Sequence, residues 1–369
     1  MTATKANPPK SSADRPSARL SDDTLIKWLR DMLLIREFEL RTMAAYQQAK
    51  IGGFCHIYIG QEPVVVGTFA ALEHDDPIIT AYRDHGHALA RGMSPEACMA
   101  EMFGRLGGCA KGKGGSMHMF DKPNHLYGGH GIVGAQTPVG LGLAFATKYH
   151  REVMGGTKKK NVALCFLGDG ALNQGALHEA MNIAALPSVS APVIYIVENN
   201  KYSMGTAIDR GTTMAHDLGA KARAYGIEYR EIDGLNILNL YDAFKPFVDI
   251  LREEQRPGFV NLHCYRYQGH SMSDPQKYRT KEEVAEHQQK DAIDALAHHL
   301  LSERRCLSEA DFNELREQIK DEVRASVEFA DQSPAPTPEE ELYSDVYVNP
   351  QPNLSPIRDY HSGAKNPLL

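Results

Sequence analysis

Apolar side chains along this chain gather in two kinds of stretch that alternate. Short apolar runs occupy residues 162–167 and 192–197, the pattern of strands buried on both faces, and further strands are expected over 78–81, 226–232 and 258–265. Between them lie runs with apolar positions three and four apart. In the first, Ser21 or Asp22 can cap a helix carrying Leu25, Ile26, Leu29, Met32, Leu33, Ile35 and Phe38, ended by Gly52-Gly53. Further helices are expected over 62–72, from Ser94-Pro95 to about 105, and over 138–149, 174–186, 216–225 and 240–252. Thr280-Lys281-Glu282-Glu283 has capping-box spacing and opens a helical region to about Phe329. From 106 to 134 glycine is frequent and periodicity disappears, and loops of that length in a compact domain are usually functional. Strands alternating with helices predict an α/β fold, a doubly wound, mostly parallel sheet flanked by helices with a helical C-terminal region. The expected division is a disordered arm over 1–20, one α/β domain over 21–335 and an extended arm over 336–369.

Composition narrows the function classes. The chain has 369 residues, 42 % hydrophobic and 24 % charged, with a net charge of −7, which argues against a nucleic-acid partner. Nowhere do eighteen apolar residues follow one another, so no membrane-spanning helix is expected. Cys55, Cys98, Cys109, Cys165, Cys264 and Cys306 are scattered without a C-x-x-C pair, the usage of reduced thiols rather than a disulfide framework or zinc site. The first twenty residues lack the apolar stretch of a secretion signal. Bacterial cytoplasm is the expected compartment. A mitochondrial matrix location is the alternative, although Asp14 and the prolines spoil a basic amphipathic presequence.

The sharpest motif is Gly168-Asp169-Gly170 at the end of one apolar run and Glu198-Asn199-Asn200 at the end of the next. Strand, helix, strand is a crossover unit, so these strands should be parallel and their C-terminal ends adjacent. A carboxylate beside an amide oxygen suits a hard cation such as Mg²⁺, which leaves positions for phosphate oxygens. Flanking glycines allow backbone to approach those oxygens. Gly170 and Ala171 are expected to open a helix, their N–H groups pointing at a diphosphate. The bland alternatives are a helix cap for Asp169 and turn formation for the two asparagines. Gly107-Gly108-Cys109-Ala110-Lys111-Gly112-Lys113-Gly114 nearly spells a P-loop, but Gly114 stands where Ser or Thr should hold Mg²⁺ and the run follows a helix.

The Gly-Asp-Gly and Asn-Asn pair, residues 107–119, Tyr127-Gly128-Gly129-His130-Gly131-Ile132-Val133-Gly134 and Tyr265-Arg266-Tyr267-Gln268-Gly269-His270-Ser271 together resemble the alpha subunits of thiamine-diphosphate-dependent 2-oxo acid dehydrogenases, the decarboxylating component of their complexes. The resemblance covers about 22–345. It implies thiamine diphosphate and Mg²⁺ as cofactors, with Asp169, Asn200 and the carbonyl of Tyr202 as metal ligands. Tyr82 and Arg83 would bind the diphosphate, and Gly131 and Val133 would contact the pyrimidine side. His56 and His270 would face the reacting end, where an imidazole can donate a proton or hydrogen bond. Ser271 matches a regulatory phosphorylation site of mitochondrial relatives.

The resemblance also implies oxidative decarboxylation of pyruvate and reductive acetylation of a lipoyl group carried by a dihydrolipoyl acetyltransferase core. It implies a beta subunit in an α₂β₂ heterotetramer, because the second half that single-chain relatives carry is not seen. The 107–119 run and Ser271-Met272-Ser273-Asp274-Pro275 favour pyruvate over branched-chain 2-oxo acids or acetoin. A catalytically silent diphosphate-binding subunit is the alternative of another class.

Overall fold

The computed structural model describes residues 15–156, 158–337, 341, 344 and 345. Most of the expected C-terminal arm and residues 1–14 of the N-terminal arm therefore lie outside the described residues. Residues 16–19 form a 3-10 turn, with the Ser17 backbone N–H and hydroxyl donating to Asp242 at 2.7 and 2.8 Å.

Elements alternate as the hydrophobic pattern requires. Helices α1 (Asp22–Gln47) and α2 (Glu62–Phe69) precede β1 (Ile78–Ala81). Helices α3 (His85–Arg91) and α4 (Pro95–Met102), then β2 (Leu126–His130) and α5 (Gln136–Glu152), follow. The central crossover is β3 (Ala163–Gly168), α6 (Gly175–Ala185) and β4 (Val193–Asn199). A two-stranded hairpin, β5 (Tyr202–Ser203) and β6 (Thr206–Ala207), leads to the short α7 (Ile208–Gly211) and α8 (Gly219–Arg223). The sheet is completed by β7 (Glu228–Asp233), α9 (Ile237–Glu254) and β8 (Gly258–His263). Helices α10 (Lys281–Gln288), α11 (Ala292–His298) and α12 (Glu309–Gln332) form the C-terminal helical region.

Six strands make one parallel sheet in the order β2-β1-β3-β4-β8-β7. The pleat explains why the central strands are apolar throughout. Leu164, Phe166, Ile194 and Ile196 enter the core beneath α1, α2 and α9, while Cys165, Leu167, Tyr195 and Val197 enter the core beneath α5 and α6. Gly140 lets α5 lie close to the sheet, since a Cβ there would sit 2.8 Å from that of Cys165. Among the described residues no helix is long and apolar enough to cross a membrane.

Two expectations change. The 106–134 stretch is not all loop, because residues 126–130 add the sheet's edge strand β2. Gly170 and Ala171 do not open an α-helix. They belong to a 3-10 turn over Asp169–Asn173, and α6 begins only at Gly175.

Candidate active site

A parallel sheet delivers every strand's C-terminal end to the same edge, and ligands bind where the strand order reverses. Here β1 and β3 are that point, since the chain winds outward from them in both directions. Tyr82 and Arg83 follow β1, Asp169 follows β3, Asn200 follows β4 and Arg266 lies just past β8. All five line one cavity, together with Val133, Gly170, Ala171, Tyr202 and His270.

Register brings Asp169 and Asn200 together. Gly168 lies opposite Glu198, so Asp169 and Asn200 leave adjacent strand ends. Of the two asparagines only Asn200 lines the cavity. Asn199 faces the sheet, where its amide donates to Asn261 at 3.1 Å and its oxygen accepts the Lys201 N–H at 3.2 Å. The Asn200 amide donates to Gln61 Oε1 at 3.0 Å, which turns Asn200 Oδ1 the other way. Asp169 is 2 % exposed. Its Oδ1 accepts the Gly170 N–H at 2.8 Å, and its Oδ2 is buried with no protein partner. Burial, opposed by Arg266, pushes this carboxyl up to about 6. An orphaned carboxylate oxygen, an oriented amide oxygen and the Tyr202 carbonyl make an all-oxygen donor set that fits Mg²⁺ with room for phosphate. Among the described residues no three His, Cys, Asp or Glu side chains gather as a metal cluster, as expected if only one ligand is a carboxylate.

Arg266 was not among the residues expected from sequence. It is buried, and its Nε donates to Asn200 Oδ1 while Nη2 donates to the carbonyls of Tyr202 and Met204, all at 3.2 Å. Its Nη1 has no partner. A guanidinium thus sits among the same oxygens that would hold the cation. Glu198 was missed too. It accepts a short hydrogen bond from the Tyr58 hydroxyl, and burial pushes its carboxyl up to about 7.

Arg83 donates from Nη1 to the Ile57 carbonyl at 2.8 Å and from Nη2 to the His270 carbonyl at 2.7 Å. Three of its five N–H donors stay available to an anion. His56, Tyr82 and His270 form a ring cluster, with centroids 4.5 Å apart for His56–Tyr82 and 5.1 Å for His56–His270. Burial and then Arg83 push His56 down to about 2 and His270 to about 3, so both rings are neutral at neutral pH. His56 Nδ1 is buried without a partner. Val133 lines the cavity at 42 % exposure, whereas Gly131 is not among its lining residues and packs against His118. The Ser271 hydroxyl lies 3.1 Å from that of Ser273, in a loop tied by Asp274 to the N–H groups of His270 and Gln276.

The glycine-rich run cradles no phosphate. Its N–H groups at Ala110, Gly112, Gly114 and Gly115 all donate to the buried carboxylate of Glu101, at 2.7 to 3.1 Å.

Compared with known proteins, residues 30–339 match the family described as dehydrogenase E1 component. A pyruvate dehydrogenase E1 component subunit alpha from Rickettsia bellii is 48 % identical over 323 residues, 88 % of this chain and 95 % of that protein. One from Rhizobium meliloti is 44 % identical over 94 % of this chain and 96 % of its own length. A mitochondrial one from Dictyostelium discoideum is 42 % identical over 89 % and 84 %. With a six-stranded parallel sheet carrying the expected motifs at its C-terminal edge, the chain belongs to the dehydrogenase E1 component family, the thiamine-diphosphate-dependent 2-oxo acid dehydrogenases.

Proposed function

We propose that the chain is the alpha subunit of a pyruvate dehydrogenase, holding the diphosphate end of thiamine diphosphate through Mg²⁺. The observation that carries this is Asp169 Oδ2, buried and unpartnered beside Asn200 Oδ1 at adjoining strand ends. Asp169, Asn200 and the Tyr202 carbonyl would hold the metal. Arg83 and Arg266 would hold the diphosphate, and the Tyr82 ring would wall the cavity beside His56. When bound, the coenzyme supplies a carbanion equivalent and an electron sink for decarboxylation. His56 and His270, each neutral, carry one ring N–H and one lone pair, so the N–H of either would donate to the oxo acid's oxygen. Support for pyruvate comes from the names of the relatives.

A beta subunit in an α₂β₂ assembly is the proposed partner, with a lipoyl domain of the acetyltransferase as acceptor. Beside the cavity, α5 and α6 expose Val139, Phe145, Tyr149, Ile183 and Leu186, and Ile132 is 77 % exposed. Exposed apolar side chains in this number, with Phe145 stacked on Tyr149, suit an interaction site. The bacterial cytoplasm is the proposed location, in keeping with the bacterial sources of most of the relatives compared.

The test is calorimetric titration of the assembled enzyme with thiamine diphosphate and Mg²⁺, then turnover with pyruvate, branched-chain oxo acids and acetoin. Asp169→Asn should abolish Mg²⁺-dependent binding, and His270→Ala should leave binding intact while cutting turnover strongly. Unchanged binding in Asp169→Asn refutes the metal site, and preference for a branched-chain acid or acetoin refutes the substrate.

A further inference from the structure

Behind the cavity runs a line of buried polar groups that takes no part in the chemistry above. His85, in the first turn of α3, is completely buried. Its Nδ1 lies 3.0 Å from both oxygens of Glu39 on α1, and its Nε2 lies 3.0 Å from the Ser116 carbonyl and 2.8 Å from the Ser116 hydroxyl. A carboxylate can only accept, so Nδ1 carries a hydrogen, while Nε2 meets a carbonyl and a hydroxyl, of which the hydroxyl can donate as well as accept. Burial alone would lower its pKa, but the adjoining Glu39 holds it above the ordinary value.

Both ends of this line reach the segment that carries His56. Glu39 accepts the Tyr58 N–H at 2.7 Å, and Ser116 Oγ accepts the His56 N–H at 3.4 Å. Arg83 holds the carbonyl of Ile57 between them. Ser116 is itself fixed, because Glu101 grips the N–H groups of Gly114 and Gly115 immediately before it. The His56 ring needs such support, since its buried Nδ1 has no partner among the described residues while the Tyr82 and His270 rings lean on it.

We propose that Glu39, His85 and Ser116 form a positioning relay that sets the His56 imidazole toward the reacting end of the site. The relay rests on the reading of His56 given above. Its members act through another residue and are not themselves catalytic.

The test uses the assembled enzyme and four variants, Ser116→Ala, Glu39→Gln, His56→Ala and the double His56→Ala/Ser116→Ala. Ser116→Ala removes the link while leaving the Glu39–His85 pair. It should lower kcat by about 10- to 100-fold, since small misplacements of reacting groups cost that much. Affinity for thiamine diphosphate with Mg²⁺ should stay within about twofold, because Asp169 and Asn200 are untouched. In the His56→Ala background the same change should cost nothing more. Glu39→Gln, which keeps an acceptor for Tyr58 but removes the charge, should likewise lower kcat and leave coenzyme affinity within about twofold. Equal losses in both backgrounds, or coenzyme affinity falling in step with kcat, would overturn the relay. Wild-type turnover in His56→Ala would overturn the role of His56 itself, whereas loss there with none in Ser116→Ala would overturn the relay alone.

Discussion

Gly170 tests the metal site from an unexpected side. A Cβ built there would lie 2.3 Å from Ser203 Oγ and 2.9 Å from Ser203 Cβ. The hydroxyl can rotate away, but the Cβ cannot. Carbon atoms settle near 3.5 Å, so Gly170→Ala should push the β5–β6 hairpin outward by about 0.6 Å. That hairpin carries the Tyr202 carbonyl. Mg²⁺ demands near-ideal octahedral geometry at roughly 2.0–2.1 Å, so such a shift uncouples one ligand. The expected cost is about 10- to 100-fold in Mg²⁺ affinity, about 1.4–2.8 kcal/mol. Calorimetric Mg²⁺ titration of the assembled enzyme at saturating thiamine diphosphate reads it directly. Ser203→Gly, which removes both clashing atoms, should restore affinity in the Gly170→Ala background, and Ser203→Ala should restore little. A Gly170→Ala enzyme binding Mg²⁺ within twofold of wild type, or one that Ser203→Gly leaves unrescued, refutes the reasoning.

Other perturbations address the scaffold. Glu101→Gln turns one carboxylate oxygen into an NH₂ facing two N–H donors, and two orphaned buried donors cost about 2–6 kcal/mol; denaturant unfolding should show that loss, with faster proteolysis within 107–119. Phe145→Glu on the exposed face of α5 should leave the subunit folded by circular dichroism yet prevent its co-purification with a beta subunit; an intact heterotetramer would remove that face from the interface. Ser271→Glu places a charge beside His270 and breaks the Ser271–Ser273 contact, so turnover should fall about five- to tenfold if about 1 kcal/mol of loop order is lost; an unaltered kcat would show that the loop tolerates charge.

The sheet was legible because β3 and most of β4 read as apolar runs buried on both faces, with β1 and β8 nearly as apolar. β2 was not, because Leu126-Tyr127-Gly128-Gly129-His130 is an edge strand with two glycines and little apolar weight. The α3 helix escaped for a related reason. Beside Ala88 and Leu89 its buried side chains are His85 and His87, held by hydrogen bonds and ring contacts, which an apolar periodicity does not register. Its Gly86 is there because a Cβ would strike the Tyr58 ring at 2.4 Å. Within the site, Asp169 and Asn200 were legible because strand order alone brings them together. Arg266 was invisible as a site residue, since one arginine after a strand is indistinguishable from a surface charge until its burial is known.

Burial has arranged the charges of this cavity in one direction. His56, His270 and the neighbouring His87, itself pushed down to about 3 by burial, are neutral at neutral pH. Glu198 is raised to about 7 by burial, against the hydrogen bond it accepts from Tyr58, so it too contributes less than a full charge. Arg83 and Arg266 are left as the cations, and both are pinned by backbone carbonyls. Arg83, whose carbonyl partners lie outside the metal site, needs little reorganisation when an anion arrives, which is where preorganised sites gain over water, whereas Arg266 has to release Asn200 Oδ1 and the Tyr202 carbonyl if they take a cation. The same two guanidiniums help keep the histidines deprotonated. An anion seated between the arginines offsets their field, so the affinity of both rings for a proton rises as the site fills.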